Sequence, residues 1–169
     1  MGSTRMSKKR IVITGLGMVS PLGNTVADNW NNLLAGVSGI GPITRFDASN
    51  LACQIAGEVK DFDITQYIPA KEARRMDVFI HYGIAAAFQA IEDAGLDNIE
   101  GLDKTRVGVN IGAGIGGLPS IEATGADVIA GGIRKINPFF IPGSLINLIA
   151  GHVTIMKGYQ GPSYGIVSA

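Results

Sequence analysis

A chain of 169 residues is long enough for one core of ordinary domain size. Its 14 basic and 14 acidic side chains cancel, which excludes the strong basic excess of a nucleic-acid binder. No apolar run reaches the length of a membrane span and no signal peptide opens the sequence, so neither nucleic acid nor membrane is an expected partner.

Met1-Gly2-Ser3-Thr4-Arg5 reads as an expression scar before a native start at Met6; residues 1–6 are set apart on this basis, as a scar or a flexible N-terminus. Residues 7–169 read as one incomplete domain. Arg10-Ile11-Val12-Ile13-Thr14-Gly15 is continuously apolar, as expected of a strand buried on both faces, and Leu16 to Gly23 forms a loop. Thr25 and Asp28 make an acidic version of the capping box, opening a helix that Gly36 stops. Gln54 to Val59 is a predicted strand. Pro69 opens a helical region whose main part runs from Met76 to Ala94, with apolar residues around most of its circumference. Val107 to Ile111 is a predicted interior strand, followed by the loop Gly112 to Gly117 and a helix over about Ser120 to Ala130. A second apolar helix, about Ser144 to Met156, closes near Gly158. Ser163 to Ala169 completes the series as a short buried strand. Strands alternating with helices predict an α/β layered fold.

Charge is unevenly spread. After Arg106 the only charged residues are Glu122, Asp127, Arg134, Lys135 and Lys157. So long a stretch cannot carry an ordinary solvated surface, and something is expected to cover it. The final strand has no cap or turn after it, so the chain reads as the first part of a larger unit, expected to be an oligomer.

Gly112-Ala113-Gly114-Ile115-Gly116-Gly117 satisfies the G-x-G-x-x-G pattern between a strand and a helix. A nucleotide phosphate loop also needs a second strand ending in an acidic residue, whereas Asn137 to Pro142 is aromatic and proline-rich. Close packing, or the lining of an apolar cavity by Ile115, fits better. Cys53 is the only thiol, which excludes an internal disulfide and suits a reducing cytosol. A lone cysteine of this kind is usually a small buried hydrophobe rather than a nucleophile. His81 and His152 lie in apolar helices, far apart and without zinc-ligand spacing; both read as structural, and no metal is expected. Lys71, Arg74 and Arg75 form a small basic group, joined only in sequence by Arg134 and Lys135. It is either a solvated face or a dock for an acidic partner.

Several segments together resemble the elongating β-ketoacyl-acyl carrier protein synthases of the type II class, condensing enzymes with the thiolase fold. Arg10 to Gly23 is similar to their opening strand and loop. Arg75 to Phe79, Gly112 to Leu118, Arg134 to Phe140 and Ala150 to Met156 resemble internal signatures, and Gly161 to Ala169 the strand before the nucleophile. The resemblance runs from about Met6 to Ala169. It implies the first part of a duplicated αβαβα architecture in a cytoplasmic homodimer. It also implies a cysteine nucleophile directly after Ala169 and two histidines further downstream, so that no catalytic residue lies within 1–169.

The implied reaction is a decarboxylative Claisen condensation. The substrates are an acyl-enzyme thioester and malonyl-acyl carrier protein. The carrier protein supplies the phosphopantetheine, and no dissociable cofactor is implied. Gly114, Ile115 and Phe140 are implied to border the acyl chain. Lys71, Arg74, Arg75, Arg134 and Lys135 are implied to dock the acidic carrier protein. A catalytically silent partner subunit of the chain-length-factor kind stays open as an alternative, as does, more weakly, a nucleotide-binding oxidoreductase.

Overall fold

The computed structural model describes residues 9–167. The segment read as a scar, residues 1–6, and Ser168 and Ala169 of the last predicted strand lie outside the described residues. In chain order the elements are α1 (Val26–Leu34), β1 (Ile40–Pro42), β2 (Ile55–Gly57), α2 (Ala70–Ala73) and α3 (Val78–Asp93). These are followed by β3 (Val109–Gly112), α4 (Leu118–Gly131), α5 (Phe140–Ser144), α6 (Leu148–Lys157) and β4 (Ser163–Ile166), with single 3-10 turns between some of them.

Local chemistry sets the helix boundaries. The Thr25 hydroxyl oxygen accepts the amide of Asp28 at 3.1 Å and its O–H donates to the Asp28 carboxylate at 2.7 Å. α1 therefore starts where the capping pattern places it, and Gly36 ends it at a φ of +68°. α3 starts after Asp77, two residues later than the predicted start at Met76, and stops before Gly95.

α3 is the axis of the molecule. Ile80, Ile84 and Ala85 on it are fully buried, and Ile91 nearly so. Against it packs α6, which buries Ile149, Ala150 and Val153. Close approach is possible because Gly83 has no side chain; a Cβ there would overlap Ile149. Each large aliphatic side chain buried in this seam stabilises the fold by about 1.5–3 kcal/mol.

β3 and β4 form a parallel pair, with Val109 opposite Ser163 and Gly112 opposite Ile166. α4, α5 and α6 make the crossover between them, as a parallel pair requires. Val107, Val109, Ile111 and Ala113 turn one face of β3 onto the helical core, while Gly108, Asn110 and Gly112 on the other face are exposed. β1 and β2 form a separate antiparallel ribbon, Ile40 opposite Gly57.

Four expectations are corrected. Arg10 to Gly15 joins no strand ladder, and its side chains are exposed, Ile11 to 97%. No strand lies beside it among the described residues. The chain instead runs on along α3, where Asp93 accepts the Leu16 amide at 2.9 Å and Gln89 the Met18 amide at 3.2 Å. The strand predicted over Gln54–Val59 contracts to Ile55–Gly57, and its partner β1 was unpredicted because Gly39, Gly41 and Pro42 leave Ile40 as its one strand former. The helix predicted over Ser144–Met156 starts only at Leu148, because Leu145 turns extended at ψ 137°. A separate short helix, α5, ends at Ser144 and occupies part of the segment read as aromatic and proline-rich. Finally, β4 is largely exposed rather than buried, since among the described residues only one strand lies beside it.

Candidate functional site

β3 ends at Gly112, and the chain turns through the glycine loop into α4, whose second residue is Pro119. The base of this loop is clamped. Gly116 has a φ of +90°, and a Cβ there would lie 2.5 Å from the Ser144 carbonyl oxygen. At Gly117 a Cβ would lie 2.8 Å from the Ser144 Cα, and the Gly117 amide donates to the Ser144 carbonyl at 3.0 Å. Only glycine permits such backbone contact. Ile115 projects from the loop and is 68% exposed, while beside Gly114 there is open space. The loop thus presents one branched side chain on a base without slack.

Asp77 underlies the same region. It is only 6% exposed, and its Oδ2 accepts both the amide and the hydroxyl of Ser120, at 2.9 and 2.6 Å. Oδ1 faces the Phe79 amide at 3.4 Å, capping α3, and the Asp77 amide donates to the Gly143 carbonyl at 3.0 Å. The first turn of α4 is therefore already occupied by a carboxylate. A pyrophosphate would be repelled from the amide that the nucleotide reading assigns to it, and that reading is set aside.

A cleft of about 190 Å³ opens beside Asp77, lined among others by Arg74, Arg75, Asn137, Phe139 and Phe140. The Arg75 guanidinium lies 4.6 Å from the centre of the Phe139 ring and pairs with Glu72 at 3.2 Å. At 38% exposure this ion pair contributes less than about 1 kcal/mol, comparable with the stacking on Phe139, so both contacts together hold Arg75. Arg74 and Lys71 are exposed on the same short segment, and Arg134 and Lys135 lie on the turn after α4, also exposed. Among the described residues these four form no ion pair. Of the predicted site residues, Arg74, Arg75 and Phe140 share the cleft. Gly114 and Ile115 belong to the loop that meets α5 through Ser144.

Residues 8–169 match the family model described as the N-terminal domain of β-ketoacyl synthase. The chain belongs to the β-ketoacyl synthases. It is 52% identical over 164 residues to the 3-oxoacyl-[acyl-carrier-protein] synthase 2 of Vibrio harveyi, over 97% of this chain and 39% of the relative. This synthase chain thus spans about two fifths of the length of the curated relatives it matches. Among solved structures it resembles the ishigamide ketosynthase/chain length factor, with a TM-score of 0.81 and 26% identity over 95% of this chain and 40% of that one. It also resembles a type II polyketide ketosynthase solved in complex with its acyl-carrier protein, with a TM-score of 0.74 and 25% identity over 94% and 41% of the two chains. The expected α/β thiolase-like fold is the fold of these neighbours.

The remaining reactive side chains of this synthase chain are placed as follows. His81 Nε2 lies 2.9 Å from the Ala73 carbonyl, a structural link between α2 and α3, as its apolar setting suggests. His152 is partly buried on α6; burial pushes its imidazole below the ordinary value, opposed by the nearby Glu72 carboxylate. Cys53 is exposed, not buried, because the loop before β2 lies outside the core; its thiol lies 3.4 Å from the Ile55 carbonyl. Among the described residues no group of three or more His, Cys, Asp or Glu side chains could hold a metal ion. Sequence reasoning missed Asp77 as part of the site. Its place before an apolar helical run marks an N-cap, but nothing local points to Ser120.

Proposed function

We propose that this chain is the first part of a 3-oxoacyl-acyl carrier protein synthase of the type II class, acting in fatty-acid chain elongation. The observation that carries this reading is the 52% identity to a 3-oxoacyl-[acyl-carrier-protein] synthase 2 across nearly the whole chain. In this reading the nucleophilic cysteine follows Ala169 and two histidines lie further on, so the residues present here shape the site rather than perform the bond changes.

The cysteine thiolate attacks the carbonyl of an acyl-carrier-protein thioester and releases the pantetheine thiol, leaving an acyl-enzyme. Malonyl-carrier protein then loses carbon dioxide. The carbanion formed attacks the acyl-enzyme carbonyl, a carbon–carbon bond forms as the cysteine thiolate leaves, and the chain is two carbons longer. The pantetheine arm arrives on the partner, so the reaction requires no resident cofactor. Gly114, Ile115 and Phe140 border the acyl chain, and Ile115 limits its length.

Carrier protein is the proposed partner, docked by Lys71, Arg74, Arg75, Arg134 and Lys135. The exposure of Lys71, Arg74, Arg134 and Lys135 supports this, and a structural neighbour was solved with its own acyl-carrier protein. A cytoplasmic homodimer is the proposed state, supported by the bare apolar face of the charge-poor half and by the single exposed thiol. The test uses the full-length protein with acyl- and malonyl-carrier protein. An intact-mass increase equal to the acyl group, followed by 3-oxoacyl product on adding malonyl-carrier protein, is expected. Tight carrier-protein binding without any acyl adduct would instead identify a silent partner subunit of the chain-length-factor kind.

A further inference from the structure

Two walls of the candidate site meet at one buried side chain. One wall is the loop carrying Ile115, which runs directly into α4; the other is α5, which carries Phe140. Asp77 touches both, through its carboxylate to Ser120 on α4 and through its amide to the Gly143 carbonyl on α5. Its position is set in turn by α3, which it caps.

Asp77 as a whole is 6% exposed, and its carboxylate has no ion-pair partner among the described residues. Its charge is instead balanced by the amide-bearing ends of two long helices, of 16 and 14 residues. Both hydrogen bonds from Ser120 converge on the single oxygen Oδ2, so losing that oxygen frees the first turn of α4 at once. Only Gly116, Gly117, Leu118 and Pro119 separate Ser120 from Ile115, and a Cβ on Gly117 would lie 3.1 Å from Oδ2. Within that run the Gly117 amide is bonded to the Ser144 carbonyl on α5, so this backbone bond and the Asp77 carboxylate together hold α4 and the loop against α5.

We propose that Asp77 is a positioning residue for acyl-chain selection, fixing the distance between the Ile115 loop and the Phe140 wall. The inference rests on the condensing-enzyme reading and names what sets the width of that site. A loosened Asp77 lets α4 move away from α5, and the chain-length limit relaxes without loss of the chemistry.

The test is a double-mutant cycle in the full-length enzyme. Acyl-enzyme formation is followed by intact mass with short and long acyl thioesters for the parent, Asp77→Ala, Ile115→Ala and the pair. Asp77→Ala should raise the long-to-short ratio by about tenfold, the worth of one charge-assisted hydrogen bond. In the Ile115→Ala background it should change the ratio no further, because the side chain it positions is gone. Asp77→Asn, which keeps an acceptor of the same size, should restore much of the parent ratio. If Asp77→Ala does not fold, Ser120→Ala removes the hydroxyl bond alone and should shift the ratio in the same direction. Equal losses for short and long chains, or ratio effects that multiply in the pair, would overturn the proposal and leave Asp77 as a fold element only. A parent that forms no acyl-enzyme would overturn the condensing-enzyme reading itself, and this inference with it.

Discussion

Ile115 owes its proposed role to its neighbours. Gly114 leaves open space on one side and Gly116 and Gly117 are pressed against Ser144 on the other, so one branched side chain meets whatever occupies the site. Each methylene kept from water contributes about 0.8 kcal/mol, and excluding four would cost roughly 3 kcal/mol, on the order of a hundredfold in acylation rate. Ile115→Phe should therefore suppress acylation by medium and long chains and spare the shortest, measured as acyl-enzyme mass across chain lengths in a well-folded full-length variant. Equal acceptance of long chains would show that Ile115 is only packing. The glycine setting of Ile115 was legible because it is written in six consecutive residues. Asp77 was not, since its partner Ser120 lies 43 positions away and only the fold brings the two together.

At the level of elements, α3 and α6 carry the core, and their apolar periodicity announced both. The break before α6 was hidden because Leu145, Ile146 and Leu148 keep the stretch apolar around the single polar Asn147, and periodicity cannot show a backbone that turns extended. Arg10 to Gly15 failed for a different reason. A continuously apolar run says what a segment would tolerate, whereas a strand also needs an edge beside it. The α6 helix also carries a pH dependence. Burial lowers the folded-state pKa of His152, so the unfolded chain binds its proton more readily. The stability contributed by the neutral imidazole is complete above the ordinary imidazole value of about 6.5 and is lost as the pH falls below it. The Tm of the full-length protein should accordingly drop on acidification below about pH 6.5, and His152→Gln should flatten that part of the profile. An unchanged profile would mean that Glu72 fully offsets the burial.

Across the whole molecule, charge is concentrated before Val107, as the sequence already showed, while large apolar side chains are exposed on both sides of that boundary. The charge-poor half exposes Ile129 to 90%, Ile133 to 79% and Ile155 to 77%, far beyond scattered surface residues. The cations of Lys71, Arg74, Arg134 and Lys135 stay solvated and free of ion pairs among the described residues, a setting in which charge steers association and salt screens it. Arg74→Glu should raise the KM for carrier-protein substrates several-fold with a smaller change in kcat, most strongly at low salt. It should barely alter turnover of a free pantetheine thioester. Equal losses on both substrates would assign the patch to structure.

The parallel pairing of β3 with β4 also bears on how the chain reaches this state. Residue 109 meets residue 163 only after α4, α5 and α6 have been gathered in between, so the ladder closes a long loop and cannot nucleate early. The seam of α3 and α6, in which Val153 packs against the same cluster as Ile80 and Ile84, must form first and present the edge of β3 to the arriving strand. Helix docking is thus expected to precede sheet formation, and β4 would have to leave the ribosome before the sheet could exist at all.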